Sequence, residues 1–82
     1  MDRIEVYKLI DGERDYQNGK PSRPESDAAT PVSSWIIYLE KQVSDAKEAV
    51  YFLDTTKALE CVRKIAALAV ACMENNDTKR RV

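Results

Sequence analysis

The chain contains no histidine, and its 82 residues include only two glycines, three prolines, two cysteines, one tryptophan and one phenylalanine. Without histidine the commonest general base and the commonest transition-metal ligand are missing. Two separated glycines cannot build a glycine-rich phosphate loop, and no serine stands in a nucleophile-elbow motif. Cys61 and Cys72 form no CxxC pair. On one helix they would lie about 16 Å apart at 1.5 Å per residue, too far for a mutual disulfide, so they read as small buried hydrophobes of a reducing compartment.

Charge of one sign is lacking as well: 13 basic residues face 14 acidic ones, for a net charge of −1. No broad basic field exists to hold nucleic acid, and the cluster Lys79, Arg80, Arg81 reads as a complement to a preceding helix end. The longest apolar run, IAALAVACM at 65–73, falls far short of the ~20 residues that cross a bilayer. No basic start followed by an apolar stretch opens the chain, so the expectation is no membrane and the cytoplasm in which the protein is made.

What is present is helical periodicity. Asp2 followed by Glu5 resembles a capping box, and Val6, Leu9, Ile10, Glu13 and Tyr16 or Gln17 continue at helical spacing. A first helix over about 2–18 follows, with Asn18 and Gly19 as its stop. All three prolines fall in the next stretch, GKPSRPESDAATP at 19–31, which predicts a mobile Pro-rich loop, either disordered or covering a ligand.

Thr30 and Pro31 supply a helix start. Val32, Ile36, Leu39, Val43, Ala46, Val50 and Leu53 then alternate four and three residues apart, a 3.5-residue seam widened by Trp35, Tyr38, Gln42, Ala49 and Phe52. A second helix over about 31–53 is predicted, with Ile37 and Tyr51 as a pair of apolar residues on its polar face. The segment DTTK at 54–57 reads as a tight connection with capping hydroxyls, returning a third helix over about 56–74 antiparallel to the second.

That third helix carries two apolar stripes, Leu59, Val62, Ala66, Ala69, Met73 and Cys61, Ile65, Leu68, Cys72, about 100° apart around its axis. A helix packed on one neighbour needs one stripe; this one must touch at least two others, whether the first helix, a second copy of the protein, or both. Ala67 and Ala71 extend its polar arc, as simple helix formers or as a place for another backbone to approach. The architecture expected is thus a single all-α domain over 1–82, three helices with a hairpin, completed by self-association because so small a core is only marginally sufficient.

Two resemblances add to this reading. The hairpin carrying acids on its first arm and LECVRKIAALAVACME at 59–74 on its second is similar to the core of the MazG-like all-α nucleoside triphosphate pyrophosphatases, whose pattern is EExxE followed by ExxD. Glu60 matches the glutamate of ExxD, but Arg63 stands at the aspartate position, Lys41 and Val43 replace acids after Glu40, and Asp45 and Glu48 lie outside that register. A cation where a Mg²⁺ ligand is required predicts no pyrophosphatase activity, no catalytic residue and no metal or cofactor; a surviving site would have to use Asp45, Glu48 and Glu60. The segments ERDYQNGK at 13–20 and RKIAALAVACME at 63–74 resemble a family of small phage-encoded proteins of uncharacterised function.

The resemblance and the missing catalytic sets imply a non-enzymatic phage accessory protein, working in the host bacterial cytoplasm, that self-associates and binds a host protein or a nucleotide-like, phosphate-bearing small molecule. Countering host defence would be one use of such binding; a small nucleic-acid-binding regulator is a further alternative. Candidate ligand-binding residues are Arg14, Tyr16, Gln17, Lys20, Trp35, Arg63 and Lys64, since cations beside aromatic faces suit such a ligand. The ordinary use of each is weightier: Trp35 and Tyr16 as core anchors, the cations as solvated or surface-paired groups.

Overall fold

The computed structural model describes residues 1–81 and is all-α: α1 spans Arg3–Asn18, α2 Arg23–Ala28, α3 Val32–Tyr51 and α4 Thr55–Asn75. Asp2 caps α1 as its spacing predicts, its carboxylate accepting from the Glu5 backbone N–H at 2.8 Å. At the far end of α4 the side-chain amides of Asn75 and Asn76 donate to the carbonyls of Ala71 and Cys72, bonding back onto the last turns of the helix.

The stretch 19–31 departs from the expected structureless loop, because it holds the short helix α2 and makes the arrangement four-helical. Its prolines do not all break structure: one sits in the first turn of α2, where proline costs no hydrogen bond. Arg23 and Asp27 close a turn of α2 as an ion pair at 2.6 Å. Thr30 does not cap α3; its hydroxyl donates to the Ser26 carbonyl at 2.7 Å and finishes α2, leaving Pro31 as the cap residue of α3.

At the hairpin, α3 stops at Tyr51, short of the expected Leu53. The Asp54 N–H donates to the Ala49 carbonyl at 2.9 Å and the Leu53 N–H to the Val50 carbonyl at 3.0 Å. Leu53 takes the left-handed backbone, φ 57°, that this closure requires. The cap of α4 is likewise not a threonine hydroxyl: the Asp54 carboxylate accepts from the Lys57 N–H at 3.0 Å.

α4 is the central element. It packs on α3 along one side and on α1 along another, α2 touches both α1 and α4, and α1 and α3 do not pack on each other. The core is Trp35, Leu68 and Ala71, with Leu39 and Cys72 half-buried against it. Trp35 is 1% exposed; covering its roughly 200 Å² contributes on the order of 5 kcal/mol, an upper figure because unfolded chains already shield part of that surface.

The two-sidedness expected of α4 holds, but one of its sides is different. Cys61 and Leu68 are buried towards α3, whereas Leu59, Val62 and Met73 stay exposed. On the supposed polar arc Ala67 and Ala71 have no exposed surface at all, Ala71 because it joins Trp35 and Leu68 in the core. Arg63 and Glu74 are joined to α1 by ion pairs, and Leu59, Val62 and Ala66 share an apolar groove with Val6, Leu9 and Ile10 of α1.

On α3 the Trp35 flank turns inward, with Ala49 buried and Gln42 half-buried beside it. The seam expected to be core lies at the rim: Val32, Ile36, Val43, Val50 and Leu53 are all exposed. Burying the largest apolar side chain of the helix sets its rotation, and the seam follows to the outside.

Candidate functional site

The last turn of α1, the segment after it and the middle of α4 enclose an open pocket of about 500 Å³ floored by Leu68. Tyr16, Gln17 and Lys20 approach it from the α1 end, and Arg63 and Lys64 from α4. Five of the seven residues singled out from the sequence thus share one lining, although Lys20 and Arg63 stand 43 positions apart in the chain.

The other two stand elsewhere. Trp35 belongs to the core. Arg14 is buried and turned towards the end of α4, where its Nε donates to Glu74 Oε1 at 3.1 Å. Its Nη1 donates to Gln17 Oε1 at 2.9 Å, so Arg14 orients a pocket residue without lining the pocket. Because Gln17 Oε1 is occupied, the amide NH₂ is the group that side chain can offer to a ligand.

Arg23, Gln42 and Glu13 complete the lining and were not foreseen. Arg23 lay in the stretch read as a loop, and Gln42 read as the widening of an apolar seam. Glu13 acquires its role only through tertiary structure: its carboxylate accepts from Arg63 Nε at 2.9 Å.

The pocket's charge is lopsided, with Lys20, Arg23, Arg63 and Lys64 around the single acid Glu13. Arg63 is paired with Glu13 and Arg23 with Asp27, whereas Lys20 and Lys64 make no ion pair among the described residues. Lys20 Nζ lies 5.1 Å from the centre of the Tyr16 ring, a cation held over an aromatic face. With Arg63 and Arg23 each paired to a carboxylate, Lys20 and Lys64 leave this concave surface with an excess of positive charge.

A shallower recess of about 380 Å³ adjoins the pocket through Arg23, Gln42 and Leu68. Asp27 lines it and is 4% exposed; its Oδ1 holds Arg23, while its Oδ2 and the Nε1 of Trp35 have no hydrogen-bond partner.

The carboxylates that a metal-dependent pyrophosphatase would use are dispersed. Asp45 binds Lys41 Nζ at 2.7 Å, which raises the Lys41 pKa above its ordinary value through that hydrogen bond and the attraction of the two charges. Asp45 and Glu48 border a groove at the hairpin end with Asp54 and Lys57, while Glu60 borders a different, apolar groove between α1 and α4. Among the described residues no group of three histidine, cysteine or carboxylate side chains is placed to hold a metal ion. No described helix is long and apolar enough to cross a membrane.

Comparison with protein families, with curated proteins and with solved structures gives no match.

Proposed function

We propose that this chain is a non-enzymatic, self-associating binding protein of the phage accessory kind, acting in the host cytoplasm, whose α1/α4 pocket takes a phosphate-bearing, nucleotide-like small molecule. The observation that carries the reading is the convergence of Lys20, Arg23, Arg63 and Lys64 on one recess beside the exposed Tyr16 ring. Phosphate oxygens are met by Lys20 and Lys64, which have no carboxylate to release first, and by the outer edge of the Arg63 guanidinium. A charge-assisted bond of this kind contributes about 1.5–3 kcal/mol when it forms away from water. Tyr16 offers a face on which a base can stack.

Calorimetric titration with nucleoside mono- and triphosphates and with inorganic phosphate tests this. Nucleotide binding that weakens with salt and falls at least tenfold in the Lys20→Ala/Lys64→Ala double variant is expected; no binding of any of these at millimolar concentration overturns the ligand. Release of pyrophosphate from a nucleoside triphosphate in the presence of Mg²⁺, abolished by Glu60→Gln, would overturn the non-enzymatic reading.

A further inference from the structure

We infer that the exposed ridge of α3 is the contact face of a two-fold homodimer, in which α3 of one copy lies antiparallel along α3 of the other. This deepens the self-association part of the reading above and is independent of the ligand.

The surface is there to be covered. The chain exposes 6527 Å², whereas a folded monomer of 9.3 kDa exposes about 5000 Å². The excess of roughly 1500 Å² is ample for the ~800 Å² that each partner contributes to a standard interface. Part of it is the α3 ridge, where Val32, Ile36, Val43 and Val50 are each between 44% and 64% exposed and Leu53 is 91% exposed. Leu53 also holds a backbone conformation that glycine adopts without steric cost, while presenting its side chain outward.

Periodicity and charge name the occupant. The ridge repeats every 3.5 residues, a spacing whose side chains interlock with a helix of the same repeat, and α3 of a second copy provides one. In an antiparallel pairing Val43 meets Ala46 of the second copy, Leu39 meets Val50, and Ile36 meets Leu53, so that the seam from 36 to 53 is complementary to itself. Glu40 and Lys47 border the ridge groove, one heptad apart on the same flank. Antiparallel packing sets Glu40 against Lys47 of the second copy, twice by symmetry. In a parallel pairing that flank lies opposite the Trp35, Gln42 and Ala49 flank of the second copy, which carries no charge, so only the antiparallel form gains these ion pairs.

Sedimentation of the full chain over the micromolar range tests the proposal. The expected species is a dimer, converted to monomer by Val43→Glu with its helical circular dichroism unchanged, because Val43 lies outside the monomer core. Glu40→Lys and Lys47→Glu each weaken the dimer roughly tenfold, and the double exchange restores it. A wild-type monomer throughout that range overturns both self-association and this interface. A dimer indifferent to Val43→Glu, or single charge reversals without effect, overturns the interface alone. Nucleotide titration of the Val43→Glu variant reads the pocket separately, since no pocket residue is altered.

Discussion

The guanidinium of Arg14 holds both carboxylate oxygens of Glu74, through Nε to Oε1 at 3.1 Å and Nη2 to Oε2 at 3.2 Å, across sixty residues of sequence. The pair is unequal: the Arg14 side chain is 6% exposed and that of Glu74 50%. Removing the acid therefore leaves a buried cation with only the neutral partners Gln17 and Asn18, whereas removing the arginine also opens a space and frees Gln17. Urea denaturation is expected to show Glu74→Gln costing about 1 kcal/mol and Arg14→Ala about 2–3 kcal/mol. The reverse order would mean that Arg14 is not the buried member in solution.

Ala67 and Ala71 have no exposed surface, so enlarging either must push apart the side chains and helices packed around it. Leucine at either position is expected to destabilise the fold by about 1–3 kcal/mol despite its good helix propensity. The same change at the partly exposed Ala66 is expected to be nearly neutral. If Ala67→Leu were neutral in thermal unfolding, the complete burial of Ala67 would be wrong.

Trp35 is the single tryptophan, so its emission reports the core directly. Blue-shifted fluorescence is expected in the folded protein and a red shift on unfolding. Trp35→Ala is expected to cost about 3–5 kcal/mol, a large part of the stability of so small a domain. Trp35→Phe should cost much less, because the indole N–H it removes has no partner to lose. Equal losses from the two variants would show that Nε1 is bonded in solution.

The three long helices were readable from the sequence because their signals are local: the Asp2 cap, the apolar periodicity, the polar turn at 54–57. Their rotations were not. Nothing local says that Trp35 outweighs the Val–Ile–Leu ridge in deciding which side of α3 turns inward, or that Ala67 and Ala71 form a packed face instead of a polar arc. Tyr16, Gln17 and Lys20 at the end of the first helix, and the cations Arg63 and Lys64 within the last, could be nominated from residue type without knowledge of how the helices cross. Arg14 could not be told from them, because its commitment to Glu74 exists only once α1 lies across α4. Arg23 was hidden by its prolines, which mark a loop by composition and a helix start by position.

Because α1 leans on α4 and α2 but never on α3, the molecule has a hierarchy of detachment. The hairpin can keep its tryptophan-centred contacts while the amino-terminal helix swings away, and the opposite is impossible. Thermal fluctuation should therefore release the first eighteen residues before the hairpin opens, erasing the cationic recess while leaving the outward ridge of the hairpin in place. In hydrogen-exchange terms, the amides of α1 should trade with solvent through a cheaper opening than those of the two long helices.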